Sequence, residues 1–117
     1  MRSTDTLLLD MLVSARLARE HIQALNPESF KLNIMARDAV ERRLAIIGEA
    51  ASKIDKTFQA SHPEIPWAAI TGQRHILIHA YDIVDVDLVW DVLANHIPVL
   101  IAQLEKMLGD KQSEQTN

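Results

Sequence analysis

The sequence predicts an all-α protein, a bundle of four main helices supplemented by short helical turns. Three observations predict it. Apolar residues recur at alternating steps of three and four, the spacing that lines one face of a helix. Long stretches are rich in Leu, Ala, Glu, Arg and Lys, all good helix formers, with only three Gly and four Pro. A chain of 117 residues, 48% of them hydrophobic, can build one real core but not two. A single domain is therefore expected over 1–108, followed by a small polar tail, disordered over 109–117.

The first helix starts near Thr4 or Asp5 and presents Leu8, Met11, Ala15, Ala18, Ile22 and Leu25 on one face. It is expected to end at Asn26-Pro27, because the residue before a proline is pushed out of the helical region. A further short turn is expected over Glu28 to Leu32. The second long helix is predicted from about Asn33 to Phe58, with Val40, Leu44, Ile47, Ala51, Ile54 and Phe58 inward and Arg37, Glu41, Arg42, Lys53 and Lys56 on the other face. These two helices should form an antiparallel hairpin, since their connector is short. Two prolines in SHPEIP, Ser61 to Pro66, break the pattern; Trp67 to Ile70 reads as one turn of helix and Gly72 as a joint before a helix carrying Arg74 to Tyr81. Asp82 to Val86 is a connector, with Asp85 or Asp87 placed to cap the last helix. That helix presents Val86, Trp90, Leu93, Ile97, Leu100, Leu104 and Leu108, and Pro98 inside it should bend it.

There is no Cys, which removes disulfides, thiolate metal sites and a Cys nucleophile, and fits a cytoplasmic protein. Asp5, Asp10 and Arg16 interrupt the N-terminal leucine run too soon for a signal peptide, and no window reaches a membrane-spanning length. Net charge is -4, against a broad basic surface for nucleic acid. The distribution is uneven, however: residues 1 to 80 hold ten Lys and Arg against nine Asp and Glu, and 81 to 117 hold two against seven. A local basic groove around Arg37, Arg42, Arg43 and Arg74 can coexist with the acidic C-terminal third. Glu49, close to Gly48, is expected to be a buried carboxylate paired with Arg43 or Arg74.

The segment RHILIHAYD, Arg74 to Asp82, sets an arginine, a histidine and a tyrosine within a short apolar stretch. Arg74 can hold a phosphate through charge and paired hydrogen bonds, and His79 titrates near neutral pH and can move a proton. Breaking RNA needs a base for the attacking ribose hydroxyl, an acid for the leaving oxygen and positive charge at the phosphate, without obligatory metal. Five helical residues turn roughly 500°, so Arg74 and His79 stand about 140° apart on a straight helix. Either the helix loosens near His79, or two copies of the segment face each other and share a site. His75 and His79 have a spacing that can bind a metal, but no third ligand follows at helical spacing beyond Asp82, and neither metal nor cofactor is expected. His21, His62 and His96 read as structural, and Trp67 and Trp90 as core aromatics.

At Arg74, His79 and Tyr81 the chain resembles the HepT-like toxins of the HEPN superfamily, which carry an Arg, four residues, a His, one residue, then a Tyr. AVERRLAIIGEAASKI at 39 to 54, HPEIPW at 62 to 67 and VDVDLVWDVLANHIPVL at 84 to 100 look like HepT-like segments in the same order. The likeness covers most of the chain from about 28 to 108. Members commonly have Asn directly after the Arg, where this chain has His75, and an aromatic and Gly where DIVD follows Tyr81. The resemblance implies a HEPN-type bundle, a homodimer with the site at its interface, and a metal-independent endoribonuclease in a type VII-like toxin-antitoxin system. It further implies Arg74 and His79 as catalytic residues, His75 as a supporting one, and Tyr81 as the residue to which a cognate minimal nucleotidyltransferase antitoxin attaches AMP. The alternative is a non-catalytic HEPN partner that binds and regulates such a nucleotidyltransferase, and a plain helical dimerisation module is a third reading.

Overall fold

The computed structural model describes residues 3–72 and 85–115, with side chains described as far as residue 109. Among these residues the secondary structure is helical throughout, with no strand.

Helix α1, Thr4–Ile22, begins where Ser3 leaves the extended region and its Oγ accepts the Thr6 N–H at 3.2 Å. Asp5 in the first turn and Arg19 and His21 in the last complement the helix dipole. The inward stripe is as predicted, and Leu8, Met11, Ala15 and Ala18 have no exposed surface. The helix stops at Ile22, short of the proline. Asn26 must be extended (φ -114°, ψ 175°) both to precede Pro27 and to cap the next helix, so the chain turns first. The Leu25 N–H closes that turn on the Ile22 carbonyl at 2.9 Å, and the Leu25 side chain folds back onto the core.

Helix α2, Pro27–Leu32, is the short turn expected, opened by a reciprocal cap: the Ser29 N–H donates to Asn26 Oδ1 and the Asn26 N–H to Ser29 Oγ, both at 2.9 Å. Asn33 ends α2 and starts α3, Ile34–Lys53, accepting the Ala36 N–H at 2.9 Å. The predicted helix from Asn33 to Phe58 is in fact two. Ile54 turns to ψ 135°, and Asp55 caps α4, Lys56–Ser61, by accepting the Thr57 N–H. The Gln59 amide of α4 donates to the Ala51 and Ile54 carbonyls, each at 3.1 Å, adding to the Ile54 N–H bond on Ala51 as the chain doubles back over the open end of α3. Glu49 is also corrected: it is half exposed and lies 3.5 Å from Lys53 Nζ one turn on, since the buried face here belongs to Ile47, Ala50 and Ala51.

The proline-flanked loop 62–66 buries Ile65 and leads into α5, helical from 67 to 72, with the Trp67 indole donating to the His62 carbonyl at 2.9 Å. The chain is described again from Asp85, whose carboxylate accepts the Asp87 and Leu88 N–H groups, both at 3.1 Å, and caps α6, Val86–Asp91. Val92–His96 form a π-helical turn, and α7 runs Ile97–Gln115. Pro98 would press its ring on the carbonyl four residues back, that of Ala94, which lies inside the π turn; the wider turn is how the helix accommodates the proline. The stretch expected to be a disordered tail has helical backbone as far as Gln115.

Helix α1 packs on α3 along one side and on α7 along the other. Arg19, late in α1, donates to the Leu93 carbonyl at 3.0 Å, while Arg16, earlier in α1, reaches Glu105 of α7 at 3.6 Å. A later residue of one helix thus meets an earlier residue of the other, so α1 and α7 run antiparallel. One apolar cluster unites all of these elements, with Phe30 of α2 meeting the tilted ring of Trp90 at 5.5 Å between centroids.

Candidate functional site

Arg74, His75, His79 and Tyr81 lie outside the described residues. The structure defines the frame that receives them at both ends. Upstream, α5 is held by buried Trp67, whose ring also meets Phe58 edge-on with centroids 6.4 Å apart. Downstream, the segment returns at Asp85, and Val86 and Val89 of α6 close a shallow cleft against Phe30 of α2 and Arg37 and Glu41 of α3. The first turns of α3 therefore flank the point where the motif segment rejoins the bundle.

Charge in this cleft is mixed. Partial burial, and then the nearby Asp38, push the Glu41 carboxyl above its ordinary pKa, while Arg37 opposes the shift. Arg37 also donates to the Lys31 carbonyl at 3.2 Å, so its guanidinium is anchored beside the α2–α3 corner. Arg42 is exposed, and the buried Nε of Arg43 has no hydrogen-bond partner among the described residues. At 100° per residue these three arginines spread around α3, so the helix alone does not assemble the basic groove the composition suggests.

A second feature was not legible in the sequence. A cavity of about 290 Å³ opens between α3, loop 62–66 and the start of α7, floored by Leu44, Ile47, Ile97 and Leu100 and rimmed by Glu64 and His96. The only forewarning was the pair of prolines in the loop, Pro63 and Pro66, both of which line it. His62 Nδ1 stands 3.0 Å from Glu64 Oε1, and this contact, after the hydrogen bond from backbone, holds the Glu64 carboxyl below its ordinary pKa. Two of the three histidines read as structural, His62 and His96, thus have carboxylate partners at the surface, His96 facing Asp91 at 3.5 Å. Among the described residues no group of three or more His, Cys, Asp or Glu could hold a metal ion. None of the described helices is long and apolar enough to cross a membrane.

The class that fold and sequence define together is a small all-α bundle with an Arg, His and Tyr segment carried between α5 and α6. The chain belongs to the HepT-like ribonuclease family, whose sequence model matches residues 11–107. It is 36% identical over 104 residues to a protein of Methanocaldococcus jannaschii whose name proposes an RNase, covering 89% of this chain and 95% of that one. A protein of Thermococcus cleftensis whose name proposes a ribonuclease HepT is 38% identical over 106 residues, covering 91% and 96%. Another relative named with an RNase role, from Caldanaerobacter subterraneus, is 34% identical over 89 residues, covering 76% and 80%. No solved structure matches the chain.

Proposed function

We propose that this chain is a metal-independent endoribonuclease, the toxin of a type VII-like toxin-antitoxin pair, acting in the cytoplasm as a homodimer. The observation that carries the reading is family membership over residues 11–107, a span that includes the whole Arg74 to Tyr81 segment. In this reading Arg74 stays protonated and stabilises the charge that builds on the phosphate, making two parallel hydrogen bonds to its oxygens. His79 takes the proton of the attacking 2′-hydroxyl, or returns one to the leaving oxygen, and His75 orients the site. The spacing of Arg74 and His79, about 140° apart on one ideal helix, favours a site completed by a second copy.

Tyr81 is the point of control. A cognate minimal nucleotidyltransferase would transfer AMP from ATP to its hydroxyl, the tyrosine oxygen displacing pyrophosphate from the α-phosphate, which places a phosphodiester charge and a nucleotide beside Arg74 and His79. The adduct would occupy the charge and the volume that RNA needs.

Expression of the parent chain without a partner, beside Arg74→Ala and His79→Ala, tests the reading through growth arrest and RNA integrity. The parent is expected to cut RNA, and each variant to lose on the order of a hundredfold or more in rate. Equal behaviour of three well-folded chains would move the assignment to a non-catalytic partner of a nucleotidyltransferase. Mass spectrometry of the chain co-expressed with such an enzyme should show an added AMP that disappears in Tyr81→Phe.

A further inference from the structure

The corner where α2 meets α3 carries three large apolar side chains that the core does not use. Leu32 is 83% exposed, Ile34 67% and Met35 85%, the highest values among the exposed large apolar residues described. Phe30 and Ala36 supply the buried face at this point, so covering the other three takes a surface from outside the bundle. The corner is also braced beforehand. Asn33 ends one helix and caps the next by accepting the Ala36 N–H at 2.9 Å, and Arg37 donates to the Lys31 carbonyl at 3.2 Å, so little ordering remains to oppose binding.

The charges around the patch identify what covers it. Glu28 and Lys31 precede the three apolar residues and Asp38 and Arg42 follow them, giving the order minus, plus, apolar, minus, plus. Glu28 and Lys31 are three apart on α2, and Ile34, Asp38 and Arg42 follow one another at steps of four on one face of α3. All four charged side chains are exposed, and none forms an ion pair with another described residue. Reversed end to end, the series is its own complement. A two-fold axis crossing the patch between Ile34 and Met35, at right angles to the chain, sets Lys31 toward the partner's Asp38 and Glu28 toward the partner's Arg42, each twice. A nucleic acid or an anionic membrane would meet Glu28 and Asp38 as well as the two cations. We propose that a second copy of this chain docks at the corner, burying Leu32, Ile34 and Met35 about a two-fold axis and pairing the four charges crosswise. Three side chains alone do not supply the roughly 800 Å² per partner that a stable interface buries, so the charged flanks belong to the contact. The inference rests on the homodimer of the reading above and names its surface. Phe30 and Arg37, beside the corner, also wall the cleft against α6, so the contact sets the two chains' re-entry points at Asp85 on either side of one axis.

Sedimentation equilibrium of the full chain over a range of concentrations reads the contact directly. The parent should dimerise, and Met35→Ser, Lys31→Glu and Asp38→Lys should each weaken the dimer about tenfold or more. Helicity should be unchanged, since all three positions are exposed. The chain carrying both Lys31→Glu and Asp38→Lys keeps every crossed pair with its signs exchanged, and should regain the parent's dissociation constant to within about threefold. Only a contact between identical copies allows that rescue. A dimer that none of the variants weakens, or a double variant no better than either single one, overturns the proposal and leaves the homodimer standing. A parent that stays monomeric overturns the homodimer and this surface together, while RNA cleavage is read separately. Variants that leave the dimer intact but lose retention of a single-stranded RNA or of phosphatidylglycerol vesicles overturn it too, and give the corner to that ligand.

Discussion

Individual residues in this bundle are legible through the partner each must find. Glu41 lies where α3 meets α6, and its raised pKa means that the folded chain favours its protonated form. The sign follows: below the unfolded value of 4.5 the group is neutral in both states and costs nothing, and as pH rises through 4.5 to the higher folded value its ionisation takes stability away. Glu41→Gln should therefore raise the melting temperature at pH 7 and leave it unchanged near pH 4. Glu64 runs the other way. Its depressed pKa adds stability that is present above 4.5 and lost as pH falls through the lower folded value, with a small effect because the carboxylate is solvated. The Arg74, His79 and Tyr81 motif rests on the sequence alone, since those residue types at that spacing suggest a chemistry without reference to contacts. The cavity was not legible there, because its lining comes from three separated segments and only folding brings Leu44, Glu64 and Leu100 together.

The elements are where periodicity both succeeds and misleads. The stripes of α1 and α7 follow from apolar spacing, and the caps at Asn26 and Asp85 from side chains that can accept a backbone N–H. Asp85 satisfies two such groups, so Asp85→Ala should cost about 1 kcal/mol in urea-induced unfolding, while Asp87→Ala, at a residue whose side chain caps nothing, should cost much less. The break between α3 and α4 was hidden because the spacing of Ile54 and Phe58 continues the stripe through it. Both side chains do reach the core, Ile54 with 2% of its surface exposed, but they arrive from a turn and a second helix. The cue was local: Asp55 followed by Lys56 and Thr57 is a cap sequence, and a cap within an apolar stripe means that a helix restarts. The final helix hides its irregularity in the same way. Its regular spacing predicts Val86 and Trp90 inward, and both pack partly buried against the core, while the most buried series is Val89, Leu93, Ile97, Leu100, Leu104 and Met107, whose first two steps are of four.

For the molecule as a whole, stability rests on α1 lying between α3 and α7, so its central side chains should be the least replaceable. Leu8 has no exposed surface, and Leu8→Ala should cost about 2 to 5 kcal/mol by urea unfolding, whereas Leu9→Ala, at a residue 49% exposed, should cost far less. Equal effects would mean that the single apolar cluster is not what holds the bundle. The π turn has a consequence at this scale as well. It takes up one extra residue within a single turn, whereas in a regular α-helix each added residue advances everything beyond it by about 100°. The chain between Val92 and His96 therefore acts as a spacer that absorbs a residue without turning the two ends of the last helix apart. Deleting Asn95 should restore an ordinary helix with Val89 and Ile97 still facing the core, whereas inserting a second residue there, with the slack already used, should turn α6 about 100° away from α7 and lower the urea midpoint. The width of a single turn thus keeps Val86 and Val89 seated against Phe30 of α2.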